Sequence, residues 1–363
     1  MELQVTQENI NKALSSVSRI ASTRGTLPIL SNILIKTIGT RVSFSATNLD
    51  IAITHNIGAK VKKEGSLTIP ARLVHDFIGS LPDGVINLKQ SENKLSIDTE
   101  KYHSTINGVS AEEFPVMPVI SDGKTWKINS KDLKHALSQV IGSASNDESR
   151  PVLTGVYFNS SKGDLFIVAT DSYRLAEKLI SSTNEEVNVL IPATALVELQ
   201  RIIGDYKGDV VITHDDQQVL FIVGEIELVA RLIDGNYPDY KKLIPQKFES
   251  SALIKTSDFV NITKVSSLFA RESAGSVSIE LSQEDGTVSI HSIASQLGEN
   301  TASADAEVKG EGSITLNSRY VLDALNAIDG DVVEFCFNGK LEPCVIRSPK
   351  HKDYMHIIMP LKS

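Results

Sequence analysis

The feature that most constrains this chain is that it repeats itself. Leu3-Gln4-Val5-Thr6-Gln7-Glu8-Asn9-Ile10 reads like Trp126-Lys127-Ile128-Asn129-Ser130-Lys131-Asp132-Leu133, 123 residues later. Leu253-Ile254-Lys255-Thr256-Ser257-Asp258-Phe259 opens a third copy in the same style. Leu67-Thr68-Ile69-Pro70-Ala71 returns as Val189-Leu190-Ile191-Pro192-Ala193 and again as Ile314-Thr315-Leu316-Asn317-Ser318. Phe114-Pro115 returns as Tyr237-Pro238, again 123 residues on. Strand–helix echoes in an ordinary chain keep no constant spacing, so a near-fixed offset at three independent places marks three tandem copies.

Each copy opens with an apolar alternation, then Thr or Ser before an acidic residue, then an apolar helix face. That is a strand, an N-cap and a helix. In the first two copies Pro70 and Pro192 are expected at an early helical position, where a missing N–H costs nothing. Short strands follow one another, as in Leu34 to Ile38, Val42 to Ala46 and Ile51 to Ile57, with turn residues between them. Consecutive strands on short turns imply antiparallel sheets, so the class is α+β, with two helices and about eight strands per copy. The expected domains are 1–120, 124–246 and 251–363. An array of such units can pair the sheet edges of its neighbours, and a closed ring would pair them all.

Composition narrows the class further. Hydrophobic residues make up 41% and charged residues 22%, the balance of a soluble globular protein. No apolar run approaches a membrane span, and the N-terminus lacks the pattern of a signal peptide. Cys336 and Cys344 are the only cysteines, which excludes a disulfide scaffold and fits a cytoplasmic chain with reduced thiols.

Enzyme signals are missing: there is no phosphate loop, no Ser elbow and no His-Glu-x-x-His. His214-Asp215-Asp216 is the best metal-like cluster, but it sits between two strand patterns and reads first as a solvated turn. Asp50 and Asp171 fall in matching places of two copies, which points to turn chemistry. No metal or cofactor is expected. Net charge is −9. Helix-like segments from Gln7 to Arg24, Ala71 to Leu81, Ser130 to Asn146, Thr194 to Lys207, Ser257 to Glu272 and Ser318 to Ile328 carry a small positive excess, leaving the acid on strands and loops. Helices facing one way would give a neutral-to-basic face able to hold a phosphate backbone loosely. Simple charge balance in helices explains the same excess.

Four segments resemble the β subunit of bacterial DNA polymerase III, the β sliding clamp family. They are Arg24-Gly25-Thr26-Leu27-Pro28-Ile29-Leu30-Ser31-Asn32, Ala169-Thr170-Asp171-Ser172-Tyr173-Arg174-Leu175-Ala176, Asp234-Gly235-Asn236-Tyr237-Pro238-Asp239-Tyr240 and Met359-Pro360-Leu361. The resemblance covers the whole chain. It implies three clamp domains in a crescent, with two crescents closing head to tail as a ring around duplex DNA. It also implies no catalytic site, a clamp loader that opens the ring, and a polymerase tethered by topology.

The resemblance places a partner-peptide pocket at Leu153, Thr170, Tyr173, Arg174, Leu175, Pro238, Lys242, Leu243, Ile357, Met359, Pro360 and Leu361. It places DNA contacts at Arg24 and Arg72, and a dimer interface at Tyr102, Ile106, Leu268 and Phe269. Ser172-Tyr173 stands where the family often has Gly-His, and Leu361-Lys362 where Met-Arg is common. Thr194 replaces a lysine of some relatives. On the residues alone, two other readings stay open: a scaffold of tandem repeats that never meets DNA, and a hydrolase grafted onto such a scaffold.

Overall fold

The structure, a computed structural model, describes residues 1–21, 27–183, 185–294 and 298–361. Three copies of one element order run along the chain. The first holds β1 (Glu2–Thr6), α1 (Gln7–Val17), β2 (Asn32–Ile38), β3 (Arg41–Thr47), β4 (Ile51–Gly58), β5 (Lys60–Lys63), β6 (Ser66–Pro70), α2 (Ala71–Ser80), β7 (Val85–Ser91), β8 (Lys94–Asp98) and β9 (His103–Asn107). The second holds β10 (Lys124–Asn129), α3 (Ser130–Val140), β11 (Gly155–Ser161), β12 (Asp164–Thr170), β13 (Arg174–Ser182), β14 (Asn188–Pro192), α4 (Ala193–Ile203), β15 (Asp209–His214), β16 (Gln218–Val223) and β17 (Ile226–Arg231). The third holds β18 (Ser250–Lys255), α5 (Thr256–Phe269), β19 (Ser276–Ser282), β20 (Thr287–Ala294), β21 (Gly298–Lys309), β22 (Gly312–Asn317), α6 (Ser318–Ala327), β23 (Val332–Phe337), β24 (Cys344–Arg347) and β25 (Tyr354–Ile358). Every strand pairing is antiparallel, so the α+β expectation holds.

The described residues pack as two compact units, 1–131 with 197–232 and 132–196 with 233–363. The first unit holds a five-stranded sheet, β5-β1-β7-β8-β9, and an eight-stranded sheet, β10-β15-β16-β17-β4-β3-β2-β6. The second holds one twelve-stranded sheet, β14-β11-β12-β13-β25-β24-β23-β18-β21-β20-β19-β22. In the first unit, Ile10, Ala13, Leu14 and Val17 make the buried stripe of α1 at helical spacing, while Leu3 and Val5 alternate inward from β1. Phe44 and Phe221 are fully buried there, and Phe158, Phe259, Phe335 and Phe337 are fully buried in the second unit. Cys336 and Cys344 are buried free thiols, and burial pushes the Cys336 thiol up to about 12, which makes it a packing group.

One motif recurs in all three copies through different side chains. The first residue of the opening helix donates its N–H across to the turn after the second helix: Gln7 to Gly84 O, Ser130 to Gly208 O, Thr256 to Asp331 O. Its side chain donates to the last turn of that helix or to the turn after it, Gln7 to Ile78 O, Ser130 to Tyr206 O, Thr256 to Gly330 O. The repeat is therefore kept as geometry while residue type drifts.

Four expectations need correction. The first helix stops at Val17 rather than Arg24, because the Ile20 N–H turns back to Val17 O as Ile20 buries. Arg19 thus leaves the helical charge count and Arg24 lies outside the described residues. Acids and bases then cancel in five helices, and only α3, with Lys131 and Lys134 against Asp132, keeps a positive excess. Pro70 is the N-cap of α2 and Pro192 ends β14, so neither sits inside its helix. The side-chain N-cap appears at Thr6, but Thr256 lies inside α5, and Lys255 caps that helix without a side-chain bond. Finally, the counterpart of Asp171 is Asn48, not Asp50. Asn48 Oδ1 accepts from the N–H groups of Asp50 and Ile51, as Asp171 Oδ1 accepts from Tyr173 and Arg174.

Candidate functional site

The turn between β12 and β13 is tied by side-chain hydrogen bonds to its own backbone. Thr170 Oγ1 donates to Arg174 O at 2.6 Å, and Asp171 takes two backbone N–H groups. Ser172 is left at φ 78°, a left-handed conformation that favours glycine. The matching Leu49 does the same at φ 79°. The turn throws Tyr173 outward, 57% exposed, and folds Arg174 inward, 9% exposed.

Arg174 is held on every side. Its Nε donates to Asp171 at 3.1 Å, Nη1 to Asp323, and Nη2 to Gly142 O at 2.6 Å. Its guanidinium lies 4.5 Å over the Tyr320 ring. A buried arginine is stable only when its fork is satisfied in this way. Around it opens a cleft of about 720 Å³, lined by the end of α3, the Ala144–Asp147 loop, Tyr173, Tyr320, Asp323 and His356. Arg150 reaches across the rim to Ser172 Oγ at 3.1 Å.

His356 forms part of the cleft wall. Its Nδ1 is 2.8 Å from Tyr354 Oη, and its Nε2 has no partner among the described residues. Burial, with help from the nearby Arg174 charge, pulls its pKa down to about 3. The folded state therefore refuses a proton that the unfolded state takes near pH 6.5. Stability is full above pH 6.5 and falls as pH drops towards 3, by roughly 1.4 kcal/mol per pH unit from this group. His356→Gln is expected to flatten that fall in an acid-unfolding series. An unchanged slope would show that other groups set it.

The structure gathers some of the expected pocket residues and separates others. Leu175 and Ile357 are paired across β13 and β25 and belong to one buried cluster with Val168, Tyr240 and Val345. Met355, Tyr237, Ile244 and Phe248 flank that cluster. Leu153 and Thr170 are also buried. Pro238, Lys242 and Leu243 are exposed. Met359, Pro360 and Leu361 are half-buried, tied by Met359 N–H to Tyr173 O and Leu361 N–H to Thr315 O. Sequence reasoning missed Tyr320, Asp323, Gly142 and His356. None carries a motif, and their contacts with Arg174 and the cleft span large separations along the chain.

Among the remaining sites, Arg72 is exposed on α2, with Asp76 at 3.8 Å, an ion pair of little energetic weight. Tyr102 is exposed beside β9, and Ile106 is buried within it. Leu268 is exposed and Phe269 half-buried at the end of α5. His214-Asp215-Asp216 is a turn whose Asp215 Oδ1 accepts from Gln217 and Gln218 N–H. Among the described residues no group of three or more His, Cys, Asp or Glu could hold a metal, and no helix is long and apolar enough to cross a membrane.

Comparison with known proteins covers the full length. Residues 1–118, 127–239 and 241–362 match the N-terminal, central and C-terminal domains of the DNA polymerase III beta subunit. A beta sliding clamp from Staphylococcus aureus is 32% identical over 377 residues, covering 100% of both chains. The crystal structure of a sliding clamp from Bacillus subtilis superposes with a TM-score of 0.95 at 29% identity, over 100% of this chain and 99% of that one. A clamp from Bartonella birtlesii, solved bound to griselimycin, gives 0.95 at 27% identity over 100% of both.

Proposed function

We propose, from the premise that this chain belongs to the DNA polymerase III beta-subunit family of sliding clamps, that it works as a ring of two copies closed around duplex DNA. The ring holds a polymerase to its template by topology. The observation that carries this reading is a rule shared by two internal strand joints. β17 pairs with β4, Ala230 opposite Ile51. β25 pairs with β13, Ile358 opposite Arg174. In both, the last strand of one repeat adds to the third sheet strand of the repeat before it.

The same rule leaves one strand of each kind unused. β9 pairs only with β8, and residues 298–305 of β21 pair only with β20 among the described residues. Two copies of the chain, each offering both edges, satisfy one another in a closed pair, which is what a twofold interface requires. The register follows from the ladders. Phe44 faces His55, Ile167 faces Lys178 and Ile290 faces Ala302 in the three equivalent hairpins, so Gly298 takes the place of Ile51 and Arg174. Ile106 takes the place of Ala230 and Ile358. Thr105 should therefore face Glu299 of the second copy. Val265 and Leu268 of α5, a helix packed on β21, are exposed apolar side chains, as is Leu73 of α2. Asn300 Nδ2 donates to Ser266 Oγ, which sets α5 against the start of β21.

Thr105→Cys with Glu299→Cys is expected to give a disulfide-linked dimer under mild oxidation, while Ser104→Cys with Glu299→Cys is not. Equal yields would refute the register. The topological reading has its own test. Protein loaded on nicked circular DNA by a clamp loader should be lost when the circle is linearised, and retention on the linear product would sink it.

DNA contact is correspondingly light: Arg72, Arg24 and the excess on α3 supply charge without a grip, as sliding requires. Partner peptides are assigned to the groove around Tyr173, Leu175, Pro238, Lys242, Leu243 and the Met359-Pro360-Leu361 tail. The exposed aromatic ring and half-buried tail support that assignment, since they offer apolar area beside polar anchors. The family's role is that of a processivity subunit, and polymerase and clamp loader are the partner classes it implies.

A further inference from the structure

The repeat builds the surroundings of the partner groove twice. The groove of the second unit lies at the joint of β13 with β25, and the joint of β4 with β17 in the first unit has the same parts. Thr47 Oγ1 donates to Ile51 O at 3.0 Å, as Thr170 Oγ1 donates to Arg174 O. The Leu49 N–H returns to Thr47 Oγ1 at 3.0 Å, as the Ser172 N–H returns to Thr170 Oγ1 at 3.1 Å. The Arg231 N–H donates to Asp50 O at 3.0 Å, as the Met359 N–H donates to Tyr173 O at 2.8 Å. Val229 pairs with Ala52 where Ile357 pairs with Leu175, and all four are buried. Residues 47–52 and 229–231 therefore stand, position by position, for 170–175 and 357–359.

Apolar area is not what the first joint lacks. Leu30 is buried there as Leu153 is in the second. The link between repeats keeps its proline, Pro115 for Pro238, and carries Val119 and Ile120 in the places of Lys242 and Leu243. Val119 is 82% exposed, so this hydrocarbon is open to a ligand. Leu27 and Leu49, both exposed, take the places of Arg150 and Ser172, which are joined by a hydrogen bond at the second rim. Two groove positions turn the other way, from apolar to charged. Asp50 stands for Tyr173 and Arg231 for Met359, and both are exposed. An apolar peptide anchor seated between them would strip water from a carboxylate and a guanidinium without giving either a partner.

We propose, resting on the assignment of partner peptides to the second joint, that Asp50 and Arg231 close the first joint to them. One residue sits on the turn and the other at the end of the last strand. An aromatic ring and a thioether at these two places admit an apolar peptide, and a carboxylate and a guanidinium refuse it. Each chain then presents one groove although its fold builds two, and the partners of one chain compete for it.

Asp50→Tyr with Arg231→Met gives the first joint the side chains of the second. Both positions are exposed, so the fold tolerates the exchange. The probe is the C-terminal peptide of the polymerase, titrated by calorimetry into the full-length protein. The parent is expected to bind one peptide per chain and the variant two. The second peptide should slow amide exchange within 115–120 in the variant and not in the parent. Asp50→Phe with Arg231→Leu repeats the test with a second apolar pair, should the first variant fail to fold. One peptide per chain in a folded variant would overturn the proposal. So would two per chain in the parent, with exchange slowed at 115–120. A parent that binds no peptide is a different failure, since it removes the partner groove itself and this proposal with it.

Discussion

A chain ending at Ile358 is expected to bind polymerase-derived peptides about 100-fold more weakly, a loss of roughly 2.7 kcal/mol, while staying folded and dimeric. The reason lies in how the tail is attached. β25 ends at Ile358, and its pairings with β13 and β24 are complete by that residue. Beyond it, Met359 and Leu361 hold on by one backbone hydrogen bond each, to Tyr173 O and Thr315 O. Losing two such bonds costs the fold about 1–3 kcal/mol. The groove proposed for partner peptides loses three half-buried apolar residues at once, and a few apolar anchors carry most of the energy of such a site. Calorimetric titration of a polymerase C-terminal peptide into both forms is the measurement. Equal affinity would mean that the groove has been placed wrongly.

Arg174→Ala is expected to lower stability by about 3 kcal/mol, the cost of stripping one partner from a largely buried ion pair. The substitution leaves Asp171 and Asp323 facing one another, removes the donor to Gly142 O, and uncovers the Tyr320 ring. Asp323 is 42% exposed and can rehydrate, which keeps the effect at the lower end of the range for such pairs. Arg174→Lys keeps the charge but not the fork, and should recover less than half of the loss. Thermal unfolding reads both. A variant melting with the parent protein would show the network to be decoration.

The fold was legible because its repeat is carried by hydrophobic spacing and turn residues, which survive drift. Leu3 and Trp126 keep a buried place, as do Ile69, Ile191 and Leu316. What stayed hidden was whatever depends on chain segments far apart. Asp323 meets Arg174 from 149 residues away, and nothing near either residue announces it. Gln7, Ser130 and Thr256 perform one task with three side chains, so alignment by residue type passes over them. Asp50 matches Asp171 by residue type, whereas the turn selects an oxygen at the position Asn48 holds. Local propensity carries α1 past its end because Arg19 and Ala21 are good helix formers, and burial of Ile20 decides otherwise.

The joints inside the chain and the edges it leaves open differ in kind. Arg19 with Glu198, and Lys178 with Asp353, put charge where one repeat meets the next. Val265 and Leu268 put hydrocarbon on the helix that packs against the free edge of β21. Hydrocarbon contact weakens on cooling and carries no charge for salt to screen, whereas ion pairs are screened in proportion to their exposure. A ring closed by those residues would part at either of its two equivalent seams, loosened by cold water and not by the screening of charge.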